Sequence, residues 1–360
     1  MKTKILYVLV SSEKDFYLEQ AYISMYSAKF YMQNVHIVLL VDDLTEQSFV
    51  GKRKGMLRYA DEVVVVKLDK NLTGKKRSRM LKTSFRKYVN GDVLFIDCDT
   101  IIVRSLDEID NHDNNIEVCR DLHTTLQLNP VRDSMIQRDM KLIGCQYNNN
   151  DPYYNSGVMY VKDNEISHKF FSSWYDNYMK GYEKGVSMDQ PSLAITNVQQ
   201  GYVIKQLYDS WNCQLCRGVK YLNEARIIHY LGTNKSDKDE NTFFSLCNAS
   251  VILKIKESGE IPNTVKEVVA NPFKGIPDNT VLLAGKDVEF KSTLIYNFFH
   301  TMYLSNLQLF GFCNTLLKCV LRIARNVKQI FTINISKPRG GVKQLSQIFV
   351  MQPFAERRAA

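Results

Sequence analysis

The first hundred residues alternate between short, continuous apolar runs and longer segments whose apolar residues recur at helical spacing. The apolar runs are KILYVLV (4–10), VHIVLLVDD (35–43), EVVVVKL (62–68) and DVLFID (92–97). Helical spacing is seen in 18–32, and the basic segment KKRSRMLKTSFRKYV (75–89) precedes the fourth run. Continuous apolar strands alternating with helices are typical of a buried, mostly parallel sheet. The pattern therefore predicts an α/β fold.

The middle of the chain continues the same alternation after a polar region at 104–150. SGVMYV (156–161) predicts a strand that begins after a glycine turn, and 166–182 is an amphipathic helix. MDQPSLAITNV predicts a further helix, with Asp189 near its N-cap and Pro191 in its first turn. A late strand at 225–232 carries His229 near its end.

The C-terminal segment has a different pattern. Residues 292–317 contain no Asp, Glu, Lys or Arg. From 316 to 331, one helical face is apolar and the opposite face carries Lys318, Arg322, Arg325 and Lys328. This predicts an interfacial amphipathic helix rather than a spanning one, since no window offers the long apolar run of a membrane span. The apolar run at the N-terminus is too short and too soon followed by charges for a signal peptide.

Charge is unevenly distributed along the 360 residues. The net charge is +9, and the segment from Lys291 onward holds ten Lys or Arg against one acid, Glu356, so the body is neutral. A neutral body with a basic tail predicts an anionic membrane surface as partner, and no nucleic acid. We expect a catalytic domain over 1–240, its extension over 241–290, and a helical basic tail over 291–360.

The eight cysteines form no regular framework, which indicates free thiols in a reducing cytosol. Cys213 and Cys216 form one CxxC pair. Without a second Cys or His pair nearby, this is a weak zinc signal.

The candidate chemistry begins with two carboxylates, Asp97 and Asp99, at the end of the fourth apolar run. Ligands of open α/β sheets bind outside the carboxyl ends of the strands. Two aspartates there can address one hard divalent cation, and that cation can bridge a diphosphate. Because an isolated Asp-x-Asp is also common in solvated turns, the motifs around it decide between the two interpretations.

Those motifs occur in a fixed order: RSR (77–79), NSG (155–157), DQ (189–190), WN (211–212) and HYLGTNK (229–235). With LFIDCDTIIV, YYNSGVMYV, MDQPSL and IIHYLGTNK, the chain resembles the family 8 glycosyltransferases over about residues 4–235. The resemblance implies the GT-A fold, a Rossmann-like nucleotide-binding mixed sheet flanked by helices. It also implies transfer of a hexose from a nucleotide sugar with retention of anomeric configuration.

The resemblance further implies a role for each matching residue. Asp97, Asp99 and His229 would hold a divalent metal, usually Mn²⁺ or else another such as Mg²⁺, on the diphosphate. Lys235 would contact the diphosphate, and Arg79 would lie near the donor sugar and phosphates.

The remaining matches concern the sugar and the base. Asn155 would lie beside the donor sugar. Asp189 and Gln190 would hold sugar hydroxyls and face the anomeric carbon. Base contacts are expected from Ser11, Asp15 and Tyr17.

We therefore expect a metal-dependent retaining glycosyltransferase of polysaccharide or lipopolysaccharide biosynthesis. It would move glucose or galactose from a UDP-linked donor to a cell-surface glycan or lipid-linked acceptor, in the cytoplasm and peripheral on the inner face of the cell membrane. Two alternatives are a haloacid-dehalogenase-like phosphatase with Asp97 as nucleophile, and a non-catalytic membrane-surface scaffold. The phosphatase motif normally lies on the first strand, whereas three strands precede Asp97; a scaffold predicts a broken metal triad, whereas all three residues are present.

Overall fold

A computed structural model describes residues 1–129, 132–144, 148, 151–215, 218–231, 249–276, 285–291 and 293–332, with backbone alone for 133, 134, 288 and 325–332. Lys235 and Cys216 lie outside the described residues. The chain divides into two units, Met1–Thr280 and Val281–Ala360. The finer division at 240 and 290 stays a prediction.

Most strands belong to one mixed sheet. The strands, numbered in chain order, are β1 Lys4–Leu9, β2 Ile37–Asp42, β3 Glu62–Val66, β4 Val93–Ile96, β5 Thr100–Ile102, β6 Ile116–Arg120, β7 Tyr154–Val161, β8 Ile204–Gln206, β9 Cys213–Gln214 and β10 Ile227–His229. The large sheet has the order β3-β2-β1-β4-β7-β6-β8. Neighbours are parallel from β3 to β4, whereas β7 is antiparallel to both β4 and β6. The predicted α/β class is thereby confirmed.

Helices cover both faces of this sheet. The helices of the first unit are α1 Tyr17–Tyr31, α2 Asp43–Gln47, α3 Lys52–Gly55, α4 Gly74–Ser84, α5 Gln137–Ile143, α6 Glu165–Glu183, α7 Gln190–Gln199, α8 Ala249–Ser258 and α9 Asn263–Ala270. The second unit contains α10 Lys286–Lys291, α11 Leu294–Ser305 and α12 Leu307–Thr332. Alternate residues of β1 enter different cores: Ile5 and Tyr7 pack with α1, whereas Leu6 and Val8 pack with α4 and α6. Burial on both faces explains why the strands read as continuous apolar runs.

The two aspartates of the Asp-x-Asp motif lie where the chain changes sheets. β4 ends at Ile96 in the large sheet, and β5 begins at Thr100 in a small sheet of order β5-β10-β9. The segment GDVLFIDCDTIIV is thus two strands with a polar link between them. Because β10 is antiparallel to β5 with His229 opposite Thr100, the small sheet brings His229 beside that link.

The second unit contains two apolar helices. On α11, Leu294 and Leu304 are exposed, as are Leu307 and Phe312 on α12. The window Leu307–Ala324 has a mean hydropathy of 1.3 with none of it buried, and among the described residues it alone is long and apolar enough to cross a membrane, by length and composition only. This window differs from the expectation that no part of the chain offers the apolar run of a membrane span, because Lys318 and Arg322 interrupt the run in the sequence without lowering its mean hydropathy enough to exclude it.

Replacing Phe85 should test how much the α4–α6 side of the core contributes. Phe85 is fully buried, and its ring centroid lies 5.8 Å from that of Phe95 and 4.4 Å from that of Phe171. We expect Phe85→Ala to lower the free energy of unfolding by about 3–5 kcal/mol, since it leaves a cavity among rigid rings. Urea denaturation measures this, with Phe273→Ala as the control at a ring that is 51% exposed. Equal losses in the two variants would contradict the packing described.

Candidate active site

Asp97, Asp99 and His229 form one cluster at the link between the two sheets. Each offers a ligand atom, and these atoms all lie within 4.8 Å of one another. His229 Nε2 is 3.3 Å from Asp99 Oδ1. Within the part of the chain that the structure describes, no other group of three His, Cys, Asp or Glu side chains is close enough to hold a metal ion. Carboxylate oxygens with one imidazole nitrogen are a donor set that fits Mn²⁺ or Mg²⁺.

Gly157 makes room for the histidine. It lies inside β7, so the glycine turn expected there from the sequence is wrong. A Cβ atom at Gly157 would lie 2.2 Å from His229 Cε1 and 2.7 Å from His229 Nδ1. The Gly157 carbonyl also accepts a 2.7 Å hydrogen bond from the Asp97 backbone N–H. A glycine in a strand interior thus marks the close approach of another group, here a proposed metal ligand.

Lys82 is a site residue that the sequence analysis missed. It projects from α4, three residues after Arg79, and is only 2% exposed. Its Nζ lies 3.0 and 3.1 Å from the two carboxylate oxygens of Asp97 and 3.5 Å from Asp189 Oδ2. Burial raises the pKa of the Asp97 carboxyl, while Lys82 opposes that rise and Asp99 adds to it. Lys82 therefore joins the cluster of Asp97, Asp99 and His229 to the predicted sugar-binding aspartate.

Asp189 is held as a buried anion. It stands just before α7, at the predicted N-cap position, yet its side chain makes no capping hydrogen bond. Instead Oδ1 lies 2.9 Å from Arg79 Nε, and Oδ2 accepts a 2.6 Å hydrogen bond from Ser156 Oγ. Burial by itself would raise the pKa of Asp189, but Arg79, Lys82 and Ser156 outweigh it and lower that pKa below its ordinary value. In turn, Asp189 raises the pKa of Arg79.

Gln190 is oriented by its amide nitrogen. Nε2 donates to Asp121 Oδ1 and to the Tyr154 carbonyl, both at 3.1 Å. Two acceptors use both amide hydrogens, so Oε1 is the atom of Gln190 that can act on a ligand. Asp121 also receives the Asn155 amide at 3.1 Å, and the sequence analysis gave Asp121 no role because no motif marks it.

The predicted base contacts lie in the loop between β1 and α1. Ser11 is buried, donates through Oγ to Asp15 Oδ1 at 2.6 Å, and accepts from Arg53 at 3.1 Å. Asp15 also accepts from the backbone N–H groups of Ser12 and Tyr17, so its carboxylate organises the loop. Tyr17 is exposed at the start of α1. The base-binding roles of Ser11, Asp15 and Tyr17 stay predictions.

Substituting Gly157 should test whether the close packing against His229 supports the cluster. In Gly157→Ala, the methyl group would displace the imidazole, and we expect Mn²⁺ affinity to fall by about 10- to 100-fold, as when a supporting partner of a metal ligand is lost. Isothermal titration with Mn²⁺ measures this, with thermal unfolding as a check on the fold. Gly55→Ala is the matched control, because its Cβ would lie 3.8 Å from Arg58 Nη2, which is an ordinary van der Waals distance. Unchanged affinity in Gly157→Ala would contradict the role assigned to this contact.

Comparison with solved structures finds several glycosyltransferases at low sequence identity. Mouse xyloside xylosyltransferase 1 in its apo form is 14% identical, with 64% of this chain and 98% of that chain covered and a TM-score of 0.45. The galactosyltransferase LgtC, solved with donor and acceptor sugar analogs, is 12% identical, with 74% and 99% covered and a TM-score of 0.46. GlyE of Streptococcus pneumoniae TIGR4 is 16% identical, with 78% and 67% covered and a TM-score of 0.42.

A comparison with curated protein sequences finds no match. The family model of glycosyl transferase family 8 matches residues 9–239, which is more than half of the chain and includes every residue of the site described above. This match confirms the resemblance drawn from the ordered motifs, and it decides against both the phosphatase and the non-catalytic scaffold. The chain belongs to glycosyl transferase family 8 and is a retaining glycosyltransferase.

Proposed function

We propose that this glycosyltransferase is metal-dependent and transfers a hexose, glucose or galactose, from a UDP-linked donor to a cell-surface glycan or lipid-linked acceptor. The observation that carries the proposal is the cluster of Asp97, Asp99 and His229, whose ligand atoms lie within 4.8 Å of one another. These side chains would hold Mn²⁺ or Mg²⁺. When bound, such a cation neutralises the charge that develops on a diphosphate leaving group.

The two aspartates would contribute unequally to that site. Lys82 donates to both carboxylate oxygens of Asp97, which reduces the charge that Asp97 can offer a cation. Asp99 lies 3.3 Å from the imidazole of His229. We therefore assign Asp99 and His229 as the principal ligands and Asp97 as a shared one. Lys235 is proposed as a diphosphate contact from the sequence alone.

Asp189 would bind donor-sugar hydroxyls and hold the guanidinium of Arg79 in position. A carboxylate has about four lone-pair positions. Arg79, Ser156 and Lys82 occupy only part of the accepting positions of the Asp189 carboxylate. A sugar hydroxyl would use the rest through a charge-assisted hydrogen bond. The carboxamide of Asn155 is hydrogen-bonded to Asp121 and to the Gly157 N–H. We therefore propose that Asn155 supports the sugar site through these protein groups.

Gln190 would face the anomeric carbon with its carbonyl oxygen. Its amide hydrogens are used by Asp121 and Tyr154, which fixes Oε1 as the atom presented. A neutral amide oxygen is too weak a nucleophile to replace a positioned base or carboxylate in covalent catalysis. It can instead stabilise positive charge on the sugar while the acceptor attacks from the face that the leaving group vacates. This assignment accounts for retention without a covalent glycosyl-enzyme.

The C-terminal helices would hold the enzyme on an anionic membrane surface, on the cytoplasmic side where nucleotide sugars are available. Support comes from α12, where Lys318 and Arg322 lie opposite an apolar face whose large side chains are exposed. Each basic residue near an anionic leaflet contributes about 1 kcal/mol. An enzyme held there would meet a lipid-linked acceptor.

A panel of UDP-sugars with the full-length protein tests the catalytic proposal. We expect Mn²⁺-dependent release of UDP from UDP-glucose or UDP-galactose, abolished by EDTA and restored by Mn²⁺. Asp99→Ala should reduce the rate by about 10²–10³-fold, the typical effect of losing one electrostatic contact to the developing charge. Asp113→Ala is the control, because that side chain is 93% exposed. Equal turnover in wild type and Asp99→Ala would reject the mechanism.

Cosedimentation with lipid vesicles tests the membrane proposal. We expect the full chain to bind vesicles containing phosphatidylserine and not pure phosphatidylcholine, and to lose binding when Lys318, Arg322, Arg325 and Lys328 are all changed to Glu. The matched control changes four exposed lysines of the first unit to Glu: Lys54, Lys70, Lys180 and Lys205. Unchanged partitioning after deletion from residue 291 onward would rule the proposal out.

A further inference from the structure

A continuous chain of side-chain hydrogen bonds joins His229 to Gln190. His229 Nδ1 lies 3.0 Å from Asn212 Oδ1, and Asn212 Nδ2 donates to Asn155 Oδ1 at 3.0 Å. Asn155 Nδ2 then donates to Asp121 Oδ1 at 3.1 Å. Gln190 Nε2 donates to the same oxygen, also at 3.1 Å. Asn212 is the second residue of the WN motif, to which the sequence analysis gave no chemical role.

One backbone group fixes the donor-to-acceptor direction of every hydrogen bond between His229 and Asp121. The Gly157 N–H lies 3.0 Å from Asn155 Oδ1, and since a backbone N–H can only donate, that atom is the amide oxygen. Asn212 must then present its NH₂ group to Asn155 and its oxygen to His229. That oxygen can only accept, so His229 carries its proton on Nδ1. In the neutral imidazole the lone pair is therefore on Nε2, the nitrogen that faces Asp99.

The residues that link His229 to Asp121 are shielded from water. Asn212 is 0% exposed, and Asn155, Asp121 and His229 are also buried. Hydrogen bonds in such surroundings are stronger than in water, and a buried polar group that loses its partner is costly. The amide orientations are therefore fixed in the folded protein.

Asp121 is placed by a strained turn. The next two residues, Leu122 and His123, have φ angles of 54° and 55°, in the left-handed region that residues with a Cβ rarely occupy. Gln214 holds this turn from β9: its Oε1 accepts from Leu122 N–H at 2.8 Å and its Nε2 donates to the Arg120 carbonyl at 2.9 Å. Strained backbone persists where the surroundings enforce it, often at functional sites.

We propose that Asn212, Asn155 and Asp121 form a positioning relay. It holds His229 as the Nδ1–H tautomer with Nε2 turned to the metal, and it orients the carboxamide of Gln190 from the same Asp121 oxygen. The metal ligand and the group that faces the anomeric carbon are thus set by one network. The relay rests on the proposed function for the roles of His229 and Gln190, whereas its hydrogen-bond directions do not.

The first test is the tautomer of His229, by ¹⁵N NMR of histidine-labelled, metal-free protein at a pH above the ordinary histidine pKa of about 6.5. We expect the Nδ1–H form in wild type and its loss in Asn212→Ala. Asn212→Asp should retain it, because a carboxylate still accepts from Nδ1–H. A wild-type histidine in the Nε2–H form would overturn the relay, even if the enzyme used no metal.

The second test is Mn²⁺ affinity without any sugar nucleotide. Asn212→Ala should weaken binding by about 10- to 100-fold. Asn212→Asp should weaken it less, because its carboxylate still accepts from Nδ1–H although it cannot donate to Asn155 Oδ1. Asp121→Ala should weaken binding by about 2- to 30-fold although two asparagines separate it from His229. Asp121→Asn, which keeps an acceptor oxygen, should retain more of the affinity.

Controls distinguish the relay from a general loss of structure. Asp139→Ala removes another buried aspartate, which pairs with Arg138 on α5, and should leave Mn²⁺ affinity unchanged. Thermal unfolding shows which variants stay folded. Folded Asp121→Ala with wild-type Mn²⁺ affinity would overturn the relay. Absence of Mn²⁺ binding in wild type would instead refute the proposed metal dependence, and the tautomer measurement would still decide on the relay.

Discussion

Charge balance among one buried and two half-buried carboxylates is the constraint on which the active site depends. Asp97, Asp99 and Asp189 lie at one end of the sheet, where burial and mutual repulsion both disfavour three negative charges. Lys82 contacts two of these carboxylates and Arg79 contacts Asp189, so α4 supplies the compensating cations. Removing one partner from such a buried pair is strongly destabilising. The basic helix is therefore part of the site rather than a solvated surface.

The sheet topology explains how residues far apart in sequence share that site. The motif Asp97–Asp99 links the large sheet to the small one, and β10 returns late in the chain to pair with β5. This pairing sets His229 beside Asp99, and Gly157 on β7 leaves room for its ring. Because glycine has no Cβ atom, Gly157 of the large sheet can contact the side chain of His229 of the small sheet.

Much of the fold was predictable, because strands buried on both faces leave a continuous apolar signal. The family, and the grouping of Asp97 and Asp99 with His229, followed from the order of the motifs. Lys82 was not predictable, since helical spacing does not show which side of a strongly basic helix is covered by other elements. Asp121 has no repeating pattern around it, and its position is decided by contacts that form only in the folded chain. The sheet change within GDVLFIDCDTIIV was hidden because both halves are equally apolar.

The most direct test of this account is anomalous diffraction at the manganese edge from crystals of the protein grown with Mn²⁺ and UDP. The account predicts one strong anomalous peak within coordination distance of His229 Nε2 and an Asp99 carboxylate oxygen, with His229 Nδ1 still bonded to Asn212. A peak coordinated by Nδ1, or no peak at these residues while UDP is bound, would contradict it.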